Sequence, residues 1–254
     1  MATYKKRGFK PKNKEEEILL DEQESTTAEV FSSLDEGASR SEEWVSKNQN
    51  YILGVIGVIA VAVLGYMAYY QFVEKPKEAS AANEMLYPQQ YFDEALAVTA
   101  QKDSLFTLAL NGAEGKYGFL DIIEEYNGTS AANLARYSAG MAYLNMQQYD
   151  EAIKYLEGFS SDDLILGAIA KGGLGDAFLQ LNQPEDALGY YEQAIAHSSN
   201  DFTTPKFLYK AGVTALELDK NDKALGYFER IKEEFPTADE ARTIDAFIGK
   251  AKKD

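Results

Sequence analysis

Three stretches decide the fold: GMAYLNMQQYDEAIKYL at 140–156, GDAFLQLNQPEDALGYY at 175–191 and GVTALELDKNDKALGYF at 212–228. Each opens on a glycine (Gly140, Gly175, Gly212), with Tyr143, Phe178 or Ala215 three residues later. Ala152, Ala187 or Ala224 follows twelve residues after the glycine, and four further on stands a large side chain, Leu156, Tyr191 or Phe228. A short polar turn (MQQYDEA, LNQPEDA, LDKNDKA) divides each stretch into two apolar-periodic halves, and the acids at those turns suit helix N-termini. Small residues at the Gly and Ala positions are what two helices need where they cross closely. A leucine at Ala152 or Ala187 is expected to overpack that crossing by about 1–3 kcal/mol.

The alanines lie 35 and 37 residues apart, close to the roughly 34-residue period of the tetratricopeptide repeat. Gly140, Ala152, Gly175, Ala187, Gly212, Ala224 and Pro236 stand at consensus positions of that repeat, which the chain therefore resembles. Arg136, Lys171 and Leu208 occupy the place of its tryptophan. The expected fold is all-α: one N-terminal transmembrane helix, then a tetratricopeptide-repeat (TPR) α-solenoid with three clear units over 131–236. A degenerate unit is expected before them, because YGFLDIIEEYNGTSAA aligns with YFERIKEEFPTADEA. It would pair a helix near 115–126 with one over 78–98, within a 74–130 linker region, leaving QKDSLFTLALNG as a packed loop. Residues 237–254 are amphipathic and read as a capping helix.

Working outward, residues 51–73 (YILGVIGVIAVAVLGYMAYYQFV) carry no charge. At roughly 1.5 Å per residue such a helix crosses a hydrocarbon core of about 30 Å. Fifty residues precede it, so it reads as an uncleaved anchor rather than a signal peptide. Trp44 and Tyr51 near one end, and Tyr66, Tyr69 and Tyr70 near the other, suit interfacial positions. Gly54, Gly57, Gly65 and Ala68 share one face and form a candidate packing seam. The first 14 residues hold six bases and no acid, and 15–43 hold eleven acids. That mixture reads as a disordered tail over 1–50, placed in the cytoplasm because its bases outnumber those just after the span. The repeats are then expected outside the inner membrane, in the periplasm of a Gram-negative cell.

The net charge of −16 divides into −3 for 1–50, zero for the span and −13 for the remainder. That acidity argues against nucleic acid as a partner. The chain has no cysteine and one histidine, His197, which leaves no thiolate chemistry and no His-rich metal site. His197 ends a repeat helix and reads as structural. The acidic pairs Glu124/Glu125, Asp162/Asp163, Glu185/Asp186 and Glu233/Glu234 have no EF-hand spacing and read as solvated. Asn127-Gly-Thr reads as turn chemistry, and Asp103-Ser104-Leu105 resembles a short O-glycosylation motif. No catalytic residue, metal or cofactor is expected, and the chain reads as a non-enzyme. Function falls to the surface of the first helices. By repeat register the candidate ligand contacts are Tyr137, Met141, Leu144 and Asn145, then Asp176, Leu179 and Gln180, then Tyr209, Val213, Leu216 and Glu217. An apolar groove edged by amides and acids fits extended polypeptide.

A tail, one span, a helix continuing from it and divergent repeats together resemble the YfgM-like family, over Lys47 to the C-terminus. The segment YGFLDIIEEYNGTSAANLARYSAGMAYLNMQQYDEAIKYLEGF is similar to the Bacteroidota form of that family. The resemblance implies an ancillary subunit of the SecYEG translocon, a periplasmic domain and chaperone-linked polypeptide clients. A scaffold of another envelope machine (secretion, gliding or division) and a cytoplasm-facing adaptor remain as alternatives.

Overall fold

The computed structural model describes residues 43–197 and 199–252, and all regular structure among them is helical. Most of the expected tail, residues 1–42, lies outside the described residues. The chain divides into two units at Tyr70/Gln71.

In the first unit, residues 43–69 form α1. Residues 43–50, expected within the tail, are therefore helical. Extending a helix costs far less than nucleating one, so the apolar run propagates back through EWVSKNQN. No residue of its most apolar 18-residue window is buried. The helix is long and apolar enough to cross a membrane. Its regular part stops short of Val73, because a π-helical turn occupies Tyr70–Glu74. Pro76 explains it: proline offers no N–H to the Phe72 carbonyl and its ring crowds the preceding turn.

The second unit opens with α2 (Lys75–Glu84) and α3 (Leu86–Ala97), broken at Met85. The single helix expected over 78–98 is thus two, and Pro88, four residues past Glu84, supplies the same cause. A larger correction concerns QKDSLFTLALNG, which is not a loop. Residues Lys102–Asn111 form α4, which packs back on α3 as a hairpin and buries Phe106, Ala109 and Leu110. The chain reverses over the short Val98–Gln101 connection, where Gln101 adopts a left-handed conformation. The expected partner of α3, α5 (Phe119–Glu125), instead packs on α6 (Ser130–Asn145). Phe92, Phe106, Phe119 and Ile122 form the core of this region. The α2 helix docks onto the start of α6. Glu78 accepts the Ser130 amide at 3.0 Å through either oxygen, and Lys77 donates to the Asn127 carbonyl at 2.8 Å. Asn127 sits in a turn with Gly128 at φ +90° and accepts from Arg136 at 2.7 Å.

Three hairpins follow: α6 with α7 (Tyr149–Glu157), α8 (Leu166–Gln180) with α9 (Pro184–His197), and α10 (Thr204–Glu217) with α11 (Asn221–Glu234). A 3-10 turn at Asp239–Thr243 leads to α12 (Ile244–Ala251), which packs on α11. The repeated glycines meet the repeated large side chains. A Cβ on Gly140 would lie 2.6 Å from Leu156 Cγ, one on Gly175 2.5 Å from the Tyr191 ring, and one on Gly212 2.3 Å from the Phe228 ring. Ala152, Ala187 and Ala224 are completely buried. Each turn uses the same device. Gln147, Asn182 and Asp219 take φ values of 60°, 59° and 56°. The next amide reaches back five residues: Gln148 to Tyr143, Gln183 to Phe178 and Lys220 to Ala215, at 2.9, 2.9 and 2.8 Å. This is the Schellman closure that satisfies a helix's last carbonyls.

Candidate functional site

The first helices α6, α8 and α10 build one face, and two adjoining depressions lie on it. The larger, about 500 Å³, brings together Leu144, Asn145, Asp176, Leu179 and Gln180. The smaller, about 210 Å³, has Met141, Ile169, Gly173, Phe202 and Phe207 as its apolar walls and Lys206 at its edge. Asp176 and Lys210 line both.

Six of the expected contacts therefore converge: Met141, Leu144, Asn145, Asp176, Leu179 and Gln180. Tyr137, Tyr209, Val213 and Glu217 line neither depression. Tyr137 packs on Phe159 with ring centroids 5.3 Å apart, and burial raises its pKa. Tyr209 meets Phe247 of α12 edge-on at 5.1 Å, so the C-terminal cap covers it. Val213 and Glu217 are exposed further along α10, and Leu216 packs into the C-terminal core.

Asn145, Asp176 and Gln180 in the larger depression are engaged within the protein. Asn145 accepts from Lys102 Nζ at 2.8 Å and donates to the Met141 carbonyl at 2.9 Å. Tyr149 donates to Gln180 Oε1 at 3.4 Å. Asp176 accepts from Tyr191 Oη at 2.7 Å and from Lys210 Nζ at 2.5 and 2.6 Å, joining α8, α9 and α10. Burial first, then the Asp176 charge and hydrogen bond, holds the Tyr191 phenol well above its usual pKa. The central carboxylate is thereby paired in place with Lys210.

Among the contributors that sequence register missed are Ile169, Phe202, Lys206, Phe207 and Lys210. Phe202 precedes α10 and is 66% exposed. Asn200 Oδ1 sets its backbone, accepting from the amides of Phe202 at 2.9 Å and Thr203 at 2.7 Å. An Asn followed by a helix start was the available signal. His197 lies on the far side of α8, its Nε2 3.0 Å from the Asp163 carbonyl oxygen and packed over Gly167.

The sequence pattern of the tetratricopeptide repeat matches residues 137–202 and, in an overlapping second register, 173–239. No curated protein matches the chain. The match spans the hairpins in which Gly175 and Gly212 receive Tyr191 and Phe228, so the repeat signature and the observed packing coincide. The chain carries tetratricopeptide repeats over 137–239, a protein–protein interaction module.

Proposed function

We propose that this protein is a non-enzymatic, membrane-anchored interaction module that holds polypeptide on the face built by α6, α8 and α10. The observation that carries the anchor is an apolar helix whose 18-residue window has no buried residue. Side chains so apolar need lipid or protein to cover them. The reading places residues 51–73 across the bacterial inner membrane once, the N-terminal tail in the cytoplasm and the repeats in the periplasm. The partner is a SecYEG-type translocon, with emerging polypeptides as clients, as the resemblance to the YfgM-like proteins implies. The stripe Gly54, Gly57, Gly65 and Ala68 is the surface of α1 proposed to meet a membrane partner. Apart from the helix's own backbone and the adjacent residues, no atom stands within 4 Å of a Cβ built on any of its three glycines.

Detergent extraction, affinity purification of the full chain and identification of co-purifying proteins test the partner. Recovery of SecY-type subunits supports it. Recovery of another envelope complex without them replaces it with a scaffold role. Protease added to spheroplasts tests the topology: the repeats are expected to be digested, and their protection would place them in the cytoplasm.

A further inference from the structure

Asp176 and Lys210 neutralise one another between the two depressions, which leaves the smaller one with a single uncompensated charge. Lys206 is exposed and has no ion-pair partner among the described residues. Beside it the walls are apolar: Met141 from α6, Ile169 from α8, Phe202 from the turn before α10 and Phe207 from its first turns. Gly173 forms part of the floor, where Leu156 Cδ1 and Met141 Sδ lie 3.2 and 3.4 Å from a built Cβ. The Asn200 turn fixes the backbone at Phe202, whose side chain is exposed. A volume of about 210 Å³ admits one large side chain, not a folded element.

Resting on the reading that this face binds polypeptide, we propose that the notch between α6, α8 and α10 selects an extended partner segment bearing an aromatic or large aliphatic side chain next to a carboxylate. The apolar side chain enters between Ile169, Met141 and Phe202, and the carboxylate pairs with Lys206. The larger depression contributes contact area without charge selectivity, because Asn145, Gln180 and Asp176 already have partners. The domain's net charge of −13 over 74–254 repels acidic chains at long range, so selection for acid falls to this local pair. An acidic segment without the apolar side chain gains nothing.

The test uses the full chain in detergent micelles and three fluorescein-labelled twelve-residue Gly/Ser peptides with central Phe-Glu, Phe-Lys or Ala-Glu, read by anisotropy. The Phe-Glu peptide is expected to bind roughly tenfold more tightly than Ala-Glu and about threefold more tightly than Phe-Lys. The exposed substitution Lys206→Glu should reverse the Glu/Lys preference, and Ile169→Glu should remove the benefit of Phe. Equal binding of Phe-Glu and Phe-Lys, or no reversal by Lys206→Glu, overturns the proposal. Leu144→Glu in the larger depression separates the two readings. If Leu144→Glu abolishes binding while Lys206→Glu and Ile169→Glu leave it unchanged, the face binds polypeptide but the notch does not select it. If all three variants bind every peptide as the parent does, the face itself is not the binding surface.

Discussion

Gly175 sits against the Cδ1–Cε1 side of the Tyr191 ring, whose hydroxyl is tied to Asp176. The ring therefore has no freedom to yield to an added methyl group. Gly140 faces Leu156, an aliphatic side chain that can change rotamer. The same substitution should thus cost different amounts at equivalent positions. Both sites lie inside helices and gain alike from replacing glycine, so the difference rests on the neighbour: Gly175→Ala is expected to destabilise by about 1–3 kcal/mol, and Gly140→Ala by less, because Leu156 can move aside. Urea denaturation of the two variants measures both, and equal losses would contradict this account of the motif. The spacing of glycine and large residue was legible in the sequence. The tie that stiffens Tyr191 runs to Asp176 across one hairpin, but the Lys210 that anchors Asp176 was not legible, because the two are 34 residues apart and meet only once α8 and α10 are stacked.

At the scale of elements, α8 begins where Asp163 Oδ1 accepts the amides of Ile165 and Leu166 at 2.9 and 2.8 Å. Those hydrogen bonds hold its carboxyl below the ordinary value of 3.8. A depressed carboxylate stabilises the fold above its unfolded pKa, and that stability is lost as pH falls through the lower folded value. Asp163→Asn should therefore lower the melting temperature at pH 6, with the gap to the parent closing as pH falls below the ordinary value of 3.8. A gap independent of pH would remove the charge from the explanation. Asp162/Asp163 had read as a solvated pair; Asp163 is exposed but structurally engaged. Local sequence also hid α4, whose helix depends on the hydrophobic surface that α3 and α6 offer it. The breaks at Tyr70–Glu74 and Met85 were readable in principle, since each precedes a proline.

Across the whole repeat array, the second helices are linked by a recurring rung. Tyr190 of α9 donates to Glu157 of α7 at 2.9 Å, and Tyr227 of α11 donates to Glu192 of α9. The next glutamate in register, Glu229, meets Lys252 just past α12 at 3.6 Å instead. Burial, then the bond to Glu157, pushes the Tyr190 phenol up to about 12. Burial and Glu192 raise Tyr227 as well. A raised pKa stabilises the fold below the unfolded value near 10, and the benefit is lost as pH rises through about 12. The parent should consequently lose melting temperature more steeply between pH 10 and 12 than Tyr190→Phe/Tyr227→Phe does; parallel curves would refute the rung. Truncation after Phe235 removes Phe247 from Tyr209 and Phe228, with which it packs at 5.1 and 5.4 Å. Exposed apolar surface at the end of a solenoid causes association, so the truncated chain should oligomerise further than the parent in light scattering.

What the sequence by itself determined is local and periodic: the apolar helix, the three hairpins, their turns, and the small residues where helices cross. Such features depend on residues within about one repeat period, and spacing records them. Tertiary structure alone decided which side chains share a surface. It brought Phe202, Lys206 and Lys210 to Met141 and Ile169, and withdrew Tyr209 beneath α12. It also engaged Asn145 with Lys102, 43 residues away. Whether a register position is open to a ligand depends on what the neighbouring element covers and which hydrogen bonds it takes up, and neither is written in the spacing. The −16 of the whole chain likewise conceals a notch whose one unpaired charge is positive.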